Sequence, residues 1–389
     1  MSKNCLLMVA GERSGDIYGA ELAAALKARL GSAEIFGCGG EAMRHAGVET
    51  EVDAHQVSIV GITEVVAGLP RAYRAFQRLL RAIDQRHPRL AVLIDFPSFN
   101  LRLAKRLKQR KITVVYFVSP QIWAWKGWRI KEIKANVDKM LCIFDFEEAM
   151  YRQAGVPVEY VGHPLVDLVR PHLSREEFFA KFHLEPETTT IVLLPGSRET
   201  EVEFNLPPML DAASRLALTR RIQFILAAAP TLSPAWLESM VGQCYVGRAS
   251  VRTLTQATYD ALRHSDLGVV ASGTATVEAA MRQLPMIVVY RVSPVSWFFG
   301  KFMVKVPFYS MVNLLAGKPI VPELIQKDFT GPNLACRVEY LLDHAEAREE
   351  MVKGLRELIP RFGAAGAIQR AAAAVVRLLE RPQASLETA

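Results

Sequence analysis

Residues 190–199 read TIVLLPGSRE, a short apolar run followed at once by a proline, a glycine and an arginine. The run Thr190–Leu194 lacks polar alternation, which is typical of a strand buried on both faces of a parallel sheet. Gly196 permits a tight turn, and the helical pattern after it presents free backbone N–H groups to an anion. Ligands of doubly wound sheets bind beyond the carboxyl ends of the strands. The stretch therefore predicts an α/β fold with an anion site in this turn.

Arg198 is the charged residue of the turn, and Gly196 and Ser197 precede it. Its planar guanidinium suits a diphosphate. The alternative is a surface ion pair with Glu201 or Glu203. The position of the turn directly after a strand favours the anion site.

The same alternation of short apolar runs and helical patterns continues along the chain in two series. Two series predict two Rossmann-like, doubly wound α/β domains that face each other across a cleft, with helices at the carboxyl end. The first series comprises Cys5–Ala10, Glu34–Gly37, Leu90–Ile94, Ile112–Val118, Lys139–Phe144 and Val158–Val161, and the second comprises Thr190–Leu194, Ile222–Ala227, Val251–Leu254, Leu267–Val270 and Met286–Tyr290.

A chain of 389 residues is too long for one ordinary hydrophobic core, which also favours two domains. Prolines and a polar helix separate the two strand series. We expect the final helices to cross back onto the first domain or to exchange with a neighbouring subunit. The second arrangement would form a homodimer, so the sequence leaves both a monomer and a homodimer as alternatives. The expected segments are a first domain at 1–165, a linker at 166–187, a second domain at 188–333 that carries the Arg198 turn, and helices at 334–389.

The composition indicates a cytoplasmic protein. The five cysteines are scattered, which is typical of reduced thiols, and no export signal or run of about 18 apolar residues is seen. The net charge is +7, and the segment 71–89 holds six arginines, including Arg71 and Arg74, against one acid. Such a helix face could contact nucleic acid, anionic lipid or a phosphorylated substrate, or could simply be solvated.

A second turn of small residues follows the run Leu267–Val270. Small side chains let a phosphate approach the backbone, and Glu278, one helical turn further on, can accept hydrogen bonds from ribose hydroxyls. The alternative is that Ser272 or Thr274 is only a helix N-cap. Beside the turn at Arg198, this one indicates a nucleoside diphosphate. The small residues that line it are Ser272, Gly273, Thr274 and Thr276.

Two acidic residues of the first half also follow strand-like runs. Asp95 closes the run Leu90–Ile94, and apolar neighbours would raise its pKa, which suits a base that takes a proton from a sugar hydroxyl. The alternative is a turn or capping aspartate. Glu12 follows the first run and is expected to face the cleft. Asp16 is interpreted as a cap of the helix that begins at Ile17.

Aromatic and apolar segments raise the question of lipid. Gln121, Trp123 and Trp125 lie on the loop after the fourth run, where they could contact sugar or acyl chains or pack beneath the loop. The segments 57–69 and 297–308 are apolar and flanked by cations, which indicates docking on an anionic bilayer or a lipid substrate. No histidine spacing typical of a metal site is present, so no metal is expected.

Seven motifs, in this order, resemble those of lipid-A-disaccharide synthases. The resemblance implies the glycosyltransferase-B fold, no cofactor, peripheral association with the cytoplasmic face of the inner membrane and no nucleic-acid partner. The motifs are AGERSGD at 10–16, IDFPSFN at 94–100, SPQIWAWK at 119–126, VGHPL at 161–165, LLPGSRETEVE at 193–203, ASGTATVEA at 271–279 and NLLAGKPIVPEL at 313–324.

The resemblance implies transfer of 2,3-diacylglucosamine from its UDP derivative to 2,3-diacylglucosamine 1-phosphate, with inversion at the anomeric carbon. Asp95 matches the base that deprotonates the acceptor 6-hydroxyl. Ser98 stands where similar sequences often carry a second aspartate, and Val312 stands where a proline is common. Asp95 is therefore expected to act largely alone. The same resemblance implies roles for Glu12 near the sugars, Arg198 at the pyrophosphate, Glu278 beside the ribose and Asn313 in the substrate site.

Two other functions remain open from the residues. A UDP-N-acetylglucosamine 2-epimerase of the same fold would not explain the apolar segments flanked by cations. A non-catalytic lipid-binding or nucleic-acid-binding module would use the basic face alone, and salt-sensitive binding to DNA would indicate it.

Overall fold

The structure, a computed structural model, describes residues 4–57, 62–122, 129–230, 232–244, 247, 249–255, 257–294, 297 and 307–380, with only the backbone of 62–69. The chain divides into two units. The first unit contains the residues up to Asp167 together with those from Arg361 onward. The second unit is Leu168–Pro360.

A parallel sheet of seven strands forms the centre of the first unit. Its strands are β1 (Cys5–Ala10), β2 (Glu34–Gly39), β3 (Glu49–Asp53), β4 (Leu90–Ile94), β5 (Thr113–Phe117), β6 (Lys139–Cys142) and β7 (Val158–Tyr160). They lie in the order β3-β2-β1-β4-β5-β6-β7. Every residue of β1 and β4 is buried, as expected for central strands covered on both faces.

Helices cover this sheet. In chain order they are α1 (Arg13–Leu30), α2 (Glu41–His45), α3 (Ile62–Arg86), α4 (Pro97–Gln109), α5 (Arg129–Asn136), α6 (Asp145–Gln153) and α7 (Leu165–Leu168), with a 3-10 turn at Ala54–Gln56. The helix α3 packs Leu79 and Ile83 into the core and leaves Arg71 and Arg74 exposed.

The second unit contains a parallel sheet of six strands. They are β8 (Thr189–Leu194), β9 (Ile222–Ala228), β10 (Ser250–Thr255), β11 (Leu267–Ala271), β12 (Met286–Tyr290) and β13 (Glu323–Ile325), in the order β10-β9-β8-β11-β12-β13. The expectation of two doubly wound parallel sheets is thus confirmed. The helices are α8 (Arg175–Lys181), α9 (Glu199–Thr219), α10 (Pro234–Cys244), α11 (Thr258–His264), α12 (Thr274–Met281), α13 (Met311–Ala316), α14 (Gly331–Asp343) and α15 (Ala345–Leu358), with 3-10 turns at Gln326–Asp328 and Ile359–Phe362.

Most of the segment 166–187, which the sequence pattern separates as a linker, is packed into the second unit. Its helix α8 buries Phe178 and Phe179. The carboxylate of Asp260 accepts hydrogen bonds from the backbone amides of His172 and Leu173, at 2.7 and 2.8 Å. These contacts place the division at Asp167–Leu168.

The final helix, α16 (Ala367–Glu380), belongs to the first unit and packs on α1. Its buried alanines allow close approach of the two helices. Asp167 accepts hydrogen bonds from the amides of Gly366 and Ala367 at its start, and Arg370 donates from Nε to the carbonyl of Val161 at 2.8 Å. The return of the chain is therefore anchored by backbone groups as well as by packing.

Among the described helices, the stretch Ala345–Glu380 is the one that is long and apolar enough to cross a membrane by length and composition alone. It folds as α15, a 3-10 turn and α16, and α16 is part of the core of the first unit. Buried core helices pass the same test of length and composition, so this stretch is weak evidence for a membrane span.

Candidate functional site

Each sheet has one point at which the strand order reverses. In the first sheet it lies between β1 and β4, where Ala10 is paired with Ile94. In the second it lies between β8 and β11, where Leu194 is paired with Val270. The turns after these strands are therefore neighbours within each unit, at the place where doubly wound sheets bind their ligands. The four strongest sequence motifs occupy these four turns.

Asp95 follows β4 in an uncommon backbone conformation. Asp95 and Phe96 have φ angles of +46° and +50°, so two successive residues with side chains are left-handed. The amide of Asp95 donates to the carbonyl of Phe117 at 2.9 Å. Asp95 is partly exposed.

The neighbouring turn after β1 is built around Gly11. A Cβ atom on Gly11 would lie 2.2 Å from the ring of Phe96, so only glycine fits beneath that ring. Glu12 is the N-cap residue of α1 in an extended conformation and is partly buried. Glu12 and Asp95 thus follow two adjacent strands of one sheet.

The prediction that Asp16 caps the helix beginning at Ile17 names the wrong helix. Asp16 lies inside α1, and its carboxylate accepts hydrogen bonds from the amides of Gly40, Ala42 and Met43, at 2.6, 3.0 and 3.2 Å. It is a cap, but of α2. Sequence spacing could not show this, because α2 lies more than twenty residues further along the chain.

The turn after β8 binds a carboxylate of the protein itself, that of Glu201. Gly196 has a φ angle of +134°, and Arg198 is the N-cap residue of α9. The carboxylate of Glu201 accepts from the guanidinium of Arg198 at 2.7 Å and from the amide of Ser197 at 3.0 Å. The ion pair considered as the alternative for Arg198 is thus present, and its carboxylate uses donors that a phosphate would use.

The frame of this turn includes a residue that the sequence analysis missed. Asn205 is completely buried and donates to the carbonyl of Pro195 at 2.8 Å. Its amide oxygen accepts from the backbone of Arg291 at 3.0 Å. An asparagine one turn into a helix gives no distinctive sequence signal. Tyr290, which precedes Arg291, has its pKa raised by burial and by the charge of Glu201.

In the turn after β11, two of the side chains predicted to line the ligand site form hydrogen bonds within the protein. The hydroxyl of Ser272 donates to the carbonyl of Tyr309 at 2.7 Å, and the buried hydroxyl of Thr276 donates to the carbonyl of Gly273 at 2.7 Å. The first amides of a helix have no partner inside it, so the amide of Thr274 at the start of α12 is a candidate donor to a ligand. Gly273 has a φ angle of +153°, and Thr274 is exposed. Glu278 is partly buried on the same helix.

Asn313 is a support for this region. Its amide nitrogen donates to the carbonyl of Val321 and the carboxylate of Glu323, at 2.9 and 2.8 Å. Its amide oxygen accepts from the backbone of Ile320 and Val321, at 2.8 and 3.0 Å. All four hydrogen-bonding positions of the side chain are thus used, and none is left for a substrate in this conformation.

Glu323 is a second residue that the sequence analysis missed. Besides Asn313, its carboxylate accepts from the amides of Tyr309 and Ser310, both at 2.9 Å. Because Ser272 binds the carbonyl of Tyr309, Glu323 and Asn313 hold the segment that supports the Ser272 turn.

The residues expected to contact acceptor or lipid are only partly described. Trp123 and Trp125 lie outside the described residues, and Gln121 is exposed. Arg71 and Arg74 are exposed and form no ion pair with a described carboxylate. The segment 57–69 is described only at Val57 and by its backbone from 62, and the segment 297–308 only at 297, 307 and 308.

The basic cluster at 71–89 does not act as one surface. Arg86 donates hydrogen bonds to the carboxylates of Glu49 and Glu51 of β3, and its bond to Glu49 raises the pKa of Arg86. Arg89 donates to the carbonyl of Leu379 at 3.0 Å. Arg71, Arg74, Arg78 and Arg81 remain exposed, and Arg78 lies 3.9 Å from a carboxylate oxygen of Glu51.

Two parallel, doubly wound sheets with a final helix returned to the first unit define a glycosyltransferase-B fold. Solved structures of this architecture align with nearly the whole chain. A putative UDP-N-acetylglucosamine 2-epimerase from Listeria monocytogenes has a TM-score of 0.66 at 13% identity and covers 98% of this chain and 97% of its own. The calicheamicin glycosyltransferase has a TM-score of 0.57 at 15% identity and covers 98% and 99%. These identities show the fold alone.

The sequence relatives are more specific. A family model described as lipid-A-disaccharide synthetase matches residues 6–372. The lipid-A-disaccharide synthase of Solibacter usitatus is 44% identical over 96% of this chain and 97% of its own length. That of Acidobacterium capsulatum is 42% identical over 97% and 96%. The chain belongs to the lipid-A-disaccharide synthase family.

Family membership makes the protein a hexosyltransferase of lipid A biosynthesis. It acts on a UDP-sugar and an acceptor and is a membrane-associated enzyme. The epimerase alternative is not favoured, since its support is limited to the shared fold.

Proposed function

We propose that the chain transfers 2,3-diacylglucosamine from UDP-2,3-diacylglucosamine to 2,3-diacylglucosamine 1-phosphate. The products are the β-1,6-linked disaccharide 1-phosphate and UDP. The observation that carries this proposal is the placement of the family motifs. Four of the seven motifs occupy the turns after β1, β4, β8 and β11, at the two positions where doubly wound sheets generally bind ligands.

The first unit supplies the base in this proposal. Asp95 accepts the proton of the acceptor 6-hydroxyl while the oxygen of that hydroxyl attacks the anomeric carbon. The bond from the anomeric carbon to the UDP oxygen breaks, and its electron pair leaves with UDP. Attack from the face opposite the leaving group inverts the anomeric carbon. Glu12, after the adjacent strand, faces the same reacting sugars.

The second unit holds the leaving group. Negative charge develops on the diphosphate as the bond breaks, and preorganised donors stabilise it. Arg198 and the amide of Ser197 supply donors after β8, and the amides of Gly273 and Thr274 supply others after β11. Glu278 accepts from the ribose. Asn313 contributes by supporting the Ser272 turn, as its buried hydrogen bonds indicate.

The test is incubation of the chain with both diacylated substrates, followed by mass analysis of the product. Asp95→Asn should lower the rate of disaccharide formation by about 10²- to 10⁴-fold, the usual contribution of a general base, while UDP still binds. The matched control is Asp84→Asn, which changes a carboxylate on α3 that is paired with Arg110. Full activity of Asp95→Asn removes the assignment of the base. Turnover of a UDP-sugar without an acceptor, and no disaccharide, removes the proposed reaction.

The membrane contact that we propose is peripheral and on the cytoplasmic face of the inner membrane. The exposed Arg71 and Arg74 on α3 support it, since basic side chains beside apolar surface suit anionic headgroups. Replacing both by serine should reduce flotation with vesicles of anionic phospholipid and leave binding to zwitterionic vesicles unchanged. The matched control replaces the exposed Arg102 and Arg106 on α4. Equal losses in both pairs would assign the effect to net charge alone.

A further inference from the structure

The carbonyl group of Asp95 is held by two side chains from different elements. Tyr116, at the fourth position of β5, donates from its hydroxyl to this carbonyl at 2.5 Å. Asn100, in the first turns of α4, donates to the same carbonyl at 2.8 Å and to that of Ile94 at 3.1 Å. Both side chains belong to the core of the first unit, and both are completely buried.

These bonds maintain a backbone that the chain would otherwise avoid. A left-handed residue with a Cβ atom costs about 1–2 kcal/mol, and Asp95 and Phe96 are both left-handed. Relaxation of either residue would rotate the peptide group between them and turn the carbonyl of Asp95 away from Tyr116 and Asn100. The amide of Asp95 is fixed on its other side by Phe117. The direction of the Asp95 side chain therefore depends on this one carbonyl.

In the part of the chain that the structure describes, the side chain of Asn100 leaves one buried polar atom unsatisfied, which indicates that the role of this residue is to donate hydrogen bonds. The amide oxygen of Asn100 is buried and has no hydrogen-bond partner among the described residues. A buried polar atom left unsatisfied costs about 1–3 kcal/mol. An apolar side chain would avoid this cost but could not donate to the two carbonyls. Tyr116 is suited to the same task, because burial raises the pKa of its hydroxyl and keeps the proton on it.

We propose that Tyr116 and Asn100 are positioning residues that aim the carboxylate of Asp95 at the acceptor hydroxyl. This inference rests on the proposed role of Asp95 as the base. Neither residue touches a substrate in the proposal. They act through the peptide group that follows Asp95, and their effect should appear in kcat and not in the binding of UDP.

Tyr116→Phe removes one of the two bonds to the carbonyl and little volume. We expect kcat to fall about tenfold, because a displacement of about 1 Å in a reacting group can cost up to about a hundredfold. The KM for the donor and the Kd for UDP should not change. The matched control is Tyr151→Phe, which removes another buried hydroxyl of the same unit, one bonded to Ser119 at 2.8 Å. An unchanged kcat in Tyr116→Phe, or an equal loss in the control, overturns the inference.

The decisive measurement repeats Tyr116→Phe in the Asp95→Asn variant, on its residual rate. If Tyr116 acts through the carboxylate of Asp95, the second substitution should change that rate less than twofold. A further tenfold loss would show a general structural role and overturn the inference. If Asp95→Asn alone retains full activity, the proposed base fails, and the comparison separates that result from a failure of the positioning role.

Asn100→Ala gives a second route that does not depend on the tyrosine. It removes both donors together with the unsatisfied oxygen, so kcat should fall at least as far as in Tyr116→Phe while UDP binding persists. Because both side chains hold one carbonyl, the double variant should lose less than the product of the single losses. Multiplicative losses would mean that they act separately and would overturn the shared role.

Discussion

In the proposed reaction, the diphosphate of UDP needs the donors that Glu201 occupies in the free protein, and this predicts an unusual effect of removing a charge. In the free protein the Glu201 carboxylate accepts from Arg198 and from the amide of Ser197. A diphosphate in this turn must displace that carboxylate. Glu201→Gln should therefore tighten the binding of UDP, although it removes an ion pair from the protein.

The magnitude follows from the exposure of the pair. The side chains of Arg198 and Glu201 are 32% and 23% exposed, so the pair is partly screened. Such pairs contribute up to about 1 kcal/mol, and that amount corresponds to about a fivefold lower Kd for UDP. Arg198→Ala removes charge-assisted hydrogen bonds to UDP that are worth about 1.5–3 kcal/mol. Part of this loss is offset, because the ion pair between Arg198 and Glu201 no longer has to be broken when UDP binds. The net loss of about 0.5–2 kcal/mol corresponds to roughly 2- to 30-fold weaker binding.

Calorimetric titration with UDP measures both effects. The matched control is Glu203→Gln, which removes an equal charge from an exposed position on the same helix. The affinity of that variant should stay within about twofold of the parent, because exposed charges at a distance are screened by salt. Weaker UDP binding in Glu201→Gln would refute the reasoning, since Glu201 would then hold Arg198 in place for the ligand.

Three further changes test other parts of the structure. Gly196→Ala should destabilise the turn and weaken UDP binding, because the φ of Gly196 is +134° and the new Cβ would lie 2.7 Å from Glu201. The control is Gly242→Ala in α10, where the new Cβ meets nothing within 4 Å, so stability and UDP binding should be kept. Asp16→Ala should lower the free energy of unfolding by about 2–3 kcal/mol in urea titrations, since three backbone amides lose a charged acceptor. Burial lowers the pKa of His163 from its ordinary value of 6.5 to about 3 in the folded protein. The unfolded chain therefore binds a proton at this histidine before the folded protein does. As a result, the free energy of unfolding is unaffected by His163 above pH 6.5 and decreases as the pH falls from 6.5 towards 3. At pH 5 about 2 kcal/mol should be lost relative to pH 7.5, and His163→Asn should show a smaller difference between the two pH values.

The strands were predictable where burial on both faces makes the sequence uniformly apolar. The bounds Cys5–Ala10 and Leu90–Ile94 agree with those of β1 and β4. The edge strands β3 and β13 were missed. Their sequences, ETEVD and ELI, carry charges because an edge strand has one open side, and this removes the apolar signal.

The positions of the turns were predictable, but the use of their side chains was not. A glycine after a strand indicates a turn from local sequence alone. Whether Ser272 offers its hydroxyl to a ligand depends on Tyr309, which lies 37 residues away in the chain. The same holds for Asn313, whose four hydrogen bonds are made to the segment 320–323. Hydrogen-bond partners distant in sequence therefore decide which residues of a motif are left for substrate.

In the proposed reaction, the two units use one topology for opposite electrostatic tasks. Both place two turns at the reversal of strand order, yet the proposal assigns Asp95 and Glu12 in the first unit as acceptors, and Arg198 and the amides that start α12 in the second as donors. Transfer of a sugar requires both kinds of group, because the attacking hydroxyl loses a proton while the departing diphosphate gains negative charge. A helix N-terminus stabilises an anion through its own amides, so the turn after β11 needs only glycine and small residues, whereas the turn after β8 adds the charge of Arg198. A carboxylate that must meet one hydroxyl needs a fixed direction, and the left-handed backbone at Asp95, with Tyr116 and Asn100 on its carbonyl, supplies that direction.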